Sequence, residues 1–263
     1  MPCIRKLTLA FIFWLVILSC KQASAQQFNS DSWISKPAGM GTMILTYGDR
    51  NSMIMSTFSL LPGWEFTAAA YLYNNDDDPT TNDGHSSSLY AKYMIYENAA
   101  KTGGFAVKAG TGLEPGYLDG DDRSKDAFQT FWTNAPVTIP FFGYKVSWDI
   151  MPGASMTRHY GEEETTAWAF TYSTRLAWYP QSPKLAIVGE IYGAAGELDA
   201  IPEYRIGLRW EPNAYVNLAV TYDDEFSGTN GAGFEIGLMV FPKPFFCITG
   251  CEDALAKKKK KDK

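Results

Sequence analysis

The chain is poor in the side chains on which most acid–base and metal chemistry depends. Its 263 residues include two histidines and four cysteines. Cys3 and Cys20 fall in an N-terminal stretch that reads as a targeting segment, which leaves Cys247 and Cys251. No histidine follows that pair, so there is no Cys/His zinc pattern, and no Gly-rich phosphate loop appears. No cofactor or metal is expected. A basic balance is also lacking: the formal net charge is -6, which argues against a nucleic-acid partner. The third absence is a long apolar run. Beyond the N-terminus no segment approaches the roughly 20 apolar residues of a membrane helix, so any crossing of a bilayer must be made by strands. Mean hydropathy of -0.19 suits a chain that alternates polar and apolar residues.

What is present at the N-terminus is a secretory pattern. Arg5 and Lys6 precede the short apolar run Leu7 to Leu18, and Ala23-Ser24-Ala25 forms a small-residue cleavage site before Gln26, giving a signal peptide over residues 1–25. Ile17-Leu18-Ser19-Cys20 offers a second route, a lipidated Cys20. Removing residues 1–25 takes Arg5, Lys6 and Lys21 and no acids, leaving 20 basic against 29 acidic residues, or -9. In an oxidising periplasm Cys247 and Cys251 could close one local disulfide. Residues 26–40 read as an irregular lead-in. Residues 242–263, with Lys257 to Lys261, read as a solvated basic tail on the periplasmic side, a candidate contact for another periplasmic component.

Between lead-in and tail, alternation and aromatic or β-branched content predict about twelve strands. They fall near 41–48, 52–61, 64–74, 87–97, 104–114, 126–134, 144–151, 166–179, 184–193, 203–211, 214–223 and 232–241. Their connections alternate. Leu61-Pro62-Gly63, Pro180 to Pro183 and Glu211-Pro212-Asn213 are tight turns, and longer links at 75–86, 115–125, 152–165, 194–202 and 224–231 lie between them. Two links break the rule: Gly48 to Asn51 is short, and 135–143 is longer than a tight turn. Short turns at one end and long loops at the other mark an all-β fold, a transmembrane antiparallel up-and-down β-barrel over residues 41–241 in the outer membrane, with membrane lipid as its surroundings.

Side chains alternate between the faces of a strand. In 203–211, Tyr204, Ile206, Leu208 and Trp210 oppose Arg205, Gly207, Arg209 and Glu211. In a soluble barrel the apolar set would point inward. Two features favour the opposite. Trp64, Trp178, Trp210 and Tyr215 fall at strand ends on the tight-turn side, where a membrane-interface girdle belongs. The polar sets hold small residues plus isolated charges rather than many Lys and Glu. The lumen-lining candidates are Glu65, Lys92, Lys108, Glu114, Lys145, Asp149, Arg175, Glu190, Arg205, Arg209, Asp223 and Glu235. Such a mixed-charge interior fits a narrow channel for passive passage of small solutes, or a closed structural or adhesion barrel acting through its outer loops or tail.

Catalytic candidates are few, and no enzyme is expected. Both histidines fall in expected outer loops. His85 precedes Ser86-Ser87-Ser88, an arrangement similar to the Ser-His pair of outer-membrane phospholipases but without the Asn-Gly that follows the serine there. His159 lies near Glu162 to Glu164, a solvated acidic run, and Asn75 to Asp78 lacks the fixed spacing of a calcium loop.

Leu185 through Phe241 carries Glu190-Ile191-Tyr192, the run Glu203 to Trp210, Tyr215 to Tyr222 and Gly233-Phe234-Glu235-Ile236-Gly237-Leu238. This last third resembles the outer-membrane transporter-like barrels associated with the meta-pathway of phenol degradation, in which a late Glu-bearing strand precedes Gly-containing terminal strands. The resemblance implies an outer-membrane channel, for small aromatic or hydrophobic molecules in particular. Phe241 would be the aromatic that closes the last strand, yet a tail follows it here.

Overall fold

The computed structural model describes residues 31–73, 85–114, 129–159, 165–198, 200–227, 233–242 and 244. The expected signal peptide, most of the tail with Cys247 and Cys251, and the acidic runs at Asn75–Asp78 and Glu162–Glu164 lie outside the described residues.

Thirteen strands form one sheet: β1 Gly41–Gly48, β2 Asn51–Phe58, β3 Trp64–Tyr73, β4 His85–Glu97, β5 Gly104–Gly112, β6 Thr130–Asn134, β7 Val137–Phe141, β8 Val146–His159, β9 Thr165–Trp178, β10 Leu185–Gly196, β11 Ala200–Asn213, β12 Val216–Glu225 and β13 Gly233–Val240. Neighbours pair antiparallel, and β1 pairs with β13 in the register Met43↔Val240 to Gly48↔Glu235, so the sheet has no free edge. β6 and β7 both pair with β5 on one side and β8 on the other, and are two halves of one wall position. The result is a closed twelve-stranded barrel. Closure satisfies the backbone without water, as spanning a bilayer demands.

The break between β6 and β7 falls at Ala135-Pro136. Pro136 has no N–H to give a ladder, but its carbonyl still accepts from Ala106 N at 2.9 Å, and Ala135 N donates to Pro152 O at 2.9 Å. The expected link 135–143 is therefore mostly wall, with a tight turn left at Phe142–Tyr144. Two expected outer loops shrink for a related reason. β8 runs on to His159 and stays paired with β9 as far as His159↔Thr165, and β10 and β11 leave only 197–199 between them. At the rim, backbone groups find their partners in the neighbouring strand, so the ladder outlasts the apolar alternation that marks a strand in sequence. His85 and His159 accordingly sit at strand ends rather than within loops.

The expected tight turns fall at one end of the barrel, which we call the turn end; in outer-membrane barrels it faces the periplasm. Leu61-Pro62-Gly63-Trp64 is a type II-like turn, with Trp64 N donating to Leu61 O at 3.1 Å and Gly63 at φ 78, a value that only glycine adopts without strain.

The two faces of the wall settle which way the strands point. Along β11, Ile206, Leu208 and Trp210 are 55%, 53% and 50% exposed, while Arg205 and Arg209 are each 4% exposed. A soluble protein inverts that order. The same alternation runs through β9, β12 and β13. The outward aliphatic band is flanked at the turn end by Trp64, Tyr93, Trp148, Trp178, Trp210 and Tyr215, and at the loop end by Tyr47, Trp168, Phe226 and Phe234, all exposed. Two aromatic rings with an aliphatic belt between them are the exterior of a transmembrane barrel.

Candidate functional site

The site is the lumen. Strand alternation places Glu65, Lys92, Lys108, Asp149, Arg175, Glu190, Arg205, Arg209, Asp223 and Glu235 on the inward face, each with 6% exposure or less. Glu114 reaches the same interior by another route. It follows β5, where the chain folds inward at Leu113, and its Oε1 accepts from Asn134 Nδ2 at 2.9 Å and Thr171 Oγ1 at 3.1 Å. Leu113 packs with Ile44, Met55, Tyr71 and Met239. Lys145 is the exception among the sequence candidates. It lies in the turn after Phe142–Tyr144 and is exposed, because the strand begins at Val146 rather than 144, so it does not line the lumen.

The inward charges are paired across and along the wall. Lys92 Nζ lies 2.7 Å from Glu65 Oε2. Arg175 donates through Nε and Nη2 to Asp149 Oδ2 at 2.9 and 2.7 Å. Arg205 lies 3.5 Å from Glu235, and Arg209 Nε lies 3.0 Å from Glu211 Oε1. Near the loop end, Arg50 bridges Glu203 at 3.0 Å and Asp223 at 3.1 Å. A charge withdrawn from bulk water needs such partners.

The turn end of the lumen is narrowed by the chain's own lead-in. Residues 31–40 are irregular, and Asp31, Ser32, Trp33 and Ala38 are buried inside the mouth. Asp31 is the anchor: its two carboxylate oxygens each lie 3.3 Å from an ammonium, Oδ1 from Lys92 and Oδ2 from Lys108. Burial alone would raise the Asp31 carboxyl, but Lys92 and Lys108 outweigh it and hold it below the ordinary carboxylate value. Trp33 lies against Gly104, where an added Cβ would come within 2.9 Å of the indole, so glycine makes the room the ring needs. Lys36 N donates to Glu65 Oε1 at 2.7 Å, and the Lys36 ammonium sits 4.3 Å from the centre of the Phe241 ring. Burial pushes the Lys36 ammonium down to about 8, against the pull of Glu65.

The segment does not fill the mouth. A cavity of about 110 Å³ remains between it and β7–β9 and β11, lined by Trp33, Tyr144, Asp149, Arg175, Tyr179 and Arg209 among others. A second of about 30 Å³ lies on the other side, beside Asp31, Lys36, Glu65 and Lys92.

Sequence reasoning missed Asp31, Trp33, Arg50, Glu203 and Glu225 as interior residues. Glu203 and Glu225 carry a usable signal: Glu203 opens the expected strand 203–211 on the same face as Arg205, and Glu225 continues the inward alternation of its strand beyond the expected end at 223. Asp31 and Trp33 stand in a stretch with no period. The four expected girdle residues, Trp64, Trp178, Trp210 and Tyr215, are exposed at the turn end. His85 is exposed and shares the outward face of β4 with Ser87, away from the lumen.

No protein-family model and no curated protein matches the chain. Solved structures do. The NanC porin aligns with 8% identity over 77% of this chain and 100% of its own, at a TM-score of 0.54. The COG4313 outer membrane channel from Pseudomonas putida F1 aligns with 12% identity over 84% of this chain and 100% of its own, at a TM-score of 0.52. At such identities the likeness is one of fold: the chain shares the architecture of outer-membrane β-barrels.

Proposed function

We propose that the protein is a narrow outer-membrane channel for passive passage of small polar solutes, throttled at its turn end by residues 31–38. The observation that carries the reading is the inverted wall: an aliphatic belt outside, and inside it charged side chains flanking cavities beside the lead-in segment. The solved barrels of like fold described as a porin and an outer membrane channel support it. The lumen is mildly acidic. Among the described residues, ten inward carboxylates (Asp31, Glu65, Glu114, Asp149, Glu190, Glu203, Glu211, Asp223, Glu225 and Glu235) face seven cations (Lys36, Arg50, Lys92, Lys108, Arg175, Arg205 and Arg209), a net of -3. Small cations should therefore pass more readily than small anions. The likeness of the last third of the chain to phenol-pathway barrels points to aromatic solutes; a lumen of this polarity would favour rings that carry a polar or charged group.

Planar-bilayer recording of the purified, folded protein tests the reading. Small, cation-selective unitary currents are expected, and a folded barrel that passes neither current nor solute would overturn it. A closed structural barrel is the second reading, favoured by the ion pairs that knit the interior and by the buried lead-in. A role for residues 242–263 in holding a periplasmic component belongs to it, and a pull-down that captures the same partner with and without those residues would refute that role.

A further inference from the structure

The larger cavity at the turn end has an uneven chemistry. Buried in its wall beside Asp149 is the guanidinium of Arg175, whose side chain is 3% exposed. One edge of that guanidinium is spent on Asp149: Nε and Nη2 both donate to Oδ2, and Asp149 Oδ1 is taken by the Thr138 hydroxyl. Nη1 is buried and makes no hydrogen bond among the described residues. A guanidinium offers parallel N–H groups along its Nη1–Nη2 edge, a geometry matched to a carboxylate. Nearby, Arg209 pairs with Glu211 through Nε and donates from Nη2 to the Tyr179 hydroxyl, which itself donates to Glu211 at 3.0 Å. That network holds the Tyr179 ring in the cavity wall.

The rest of the lining combines rings and hydrocarbon (Trp33 from the lead-in, Tyr144 from the turn, Tyr179, Pro140 and Ile34) with the hydroxyl residues Ser32, Thr102, Thr138 and Ser147. The cavity's buried charges are Arg175 and Arg209 against Asp149 and Glu211, so it is locally balanced in a lumen that is acidic as a whole; Lys101 at its rim is exposed and lies 3.6 Å from Glu97. The excess carboxylates, Glu190, Glu203, Asp223, Glu225 and Glu235 against Arg50 and Arg205, stand towards the loop end. Lys101, Thr102 and Tyr144 belong to turn-end connections, so the cavity opens on the side of the membrane that the turns face.

We infer that this cavity is a binding site for a small organic carboxylate with a flat apolar body, entered from the turn end, with Arg175 taking the carboxylate and the rings of Trp33, Tyr144 and Tyr179 the body. At about 10–15 Å³ for each water-sized occupant, a cavity of about 110 Å³ has room for about eight such occupants, the scale of a single substituted ring. The site deepens the channel reading by naming a solute class, yet it stands on its own lining residues.

Benzoate is the probe, and benzyl alcohol its neutral counterpart. Ligand-observed NMR on the folded, full-length barrel in detergent should show benzoate saturating at about millimolar concentration, the scale for so small a ligand. Benzyl alcohol should bind about ten- to hundredfold more weakly, the value of a charge-assisted hydrogen bond. Arg175→Met alone would strand Asp149, so the informative variant is Arg175→Met with Asp149→Asn, which removes the pair together. It should lose benzoate binding tenfold or more, while Arg205→Gln with Glu235→Gln, elsewhere in the lumen, should leave it unchanged. Benzoate binding no tighter than benzyl alcohol, or equal in the two double variants, would overturn the site. Bilayer recordings separate the two readings: currents without benzoate binding remove the site and keep the channel, whereas benzoate binding without currents does the reverse.

Discussion

The anchor of the lead-in offers the sharpest perturbation. Asp31 stands between two ammonium groups, 3.3 Å from each. The two lysines would respond unequally to its loss. Lys92 keeps Glu65 at 2.7 Å, but Lys108 is left with the faces of Tyr90 and Trp132, at 4.8 and 5.6 Å from the ring centres, and the electrostatic pull of Glu114. Asp31→Asn therefore removes one side of a buried pair, a change that typically costs about 3–5 kcal/mol. If that cost falls on docking of the segment, the ratio of docked to released states drops by about 10²- to 10⁴-fold. Two readouts follow the release. Unitary conductance in planar bilayers should rise, and a thiol introduced by Ser32→Cys, in a background with Cys247 and Cys251 changed to Ser, should react faster with a water-soluble maleimide. Adding Lys108→Met to Asp31→Asn removes the stranded ammonium and should restore part of the docking. Conductance and labelling rate both within twofold of the parent, in a barrel that circular dichroism shows to be folded, would refute the argument.

Other perturbations probe the segment, the lumen and the belt. Lys36 falls from an ordinary 10.5 to about 8 on docking because burial disfavours its charged form. The docked state binds fewer protons between those values, so docking should strengthen as pH rises from about 8 to 10.5, and Lys36→Met should abolish that trend while stabilising the segment by up to about 3 kcal/mol at neutral pH, read by thiol labelling. Burial pushes the Glu114 carboxyl up from 4.5 to about 7, so the infolded stretch at Leu113–Glu114 loses stability as pH rises through that window. Cation selectivity should increase as pH passes about 7, and Glu114→Gln should flatten the change in reversal potential. Ile206→Arg puts a charge near the middle of β11 on the belt and should cost about 2–4 kcal/mol in reversible folding into lipid vesicles.

Much of the wall could be read from residue order because the bilayer imposes a strict two-residue period. The runs Tyr204 to Trp210 and Val216 to Tyr222 show it without interruption, and the inward set follows from it. Pairing across the lumen could not be read, since Arg50 meets Glu203 and Asp223 only once β1 closes on β13. The break at Ala135-Pro136 looked like a loop because Pro136 and the short flanking runs hide a shared wall position. The lead-in carried no period because it is no strand. Its place is set by a few specific contacts, Asp31 with two lysines and Trp33 in the space beside Gly104, and such contacts leave no pattern along the chain.

The inverted wall underlies every step from sequence to channel, and β12 tests it residue by residue. Nitroxides placed one at a time from Asn217 to Thr221, in vesicles, report collisions with oxygen, which concentrates in lipid, or with a water-soluble nickel chelate. Labels at Leu218 and Val220 should favour oxygen, and labels at Asn217, Ala219 and Thr221 should not. Oxygen preference at Asn217, Ala219 and Thr221, with Leu218 and Val220 shielded, would contradict the account.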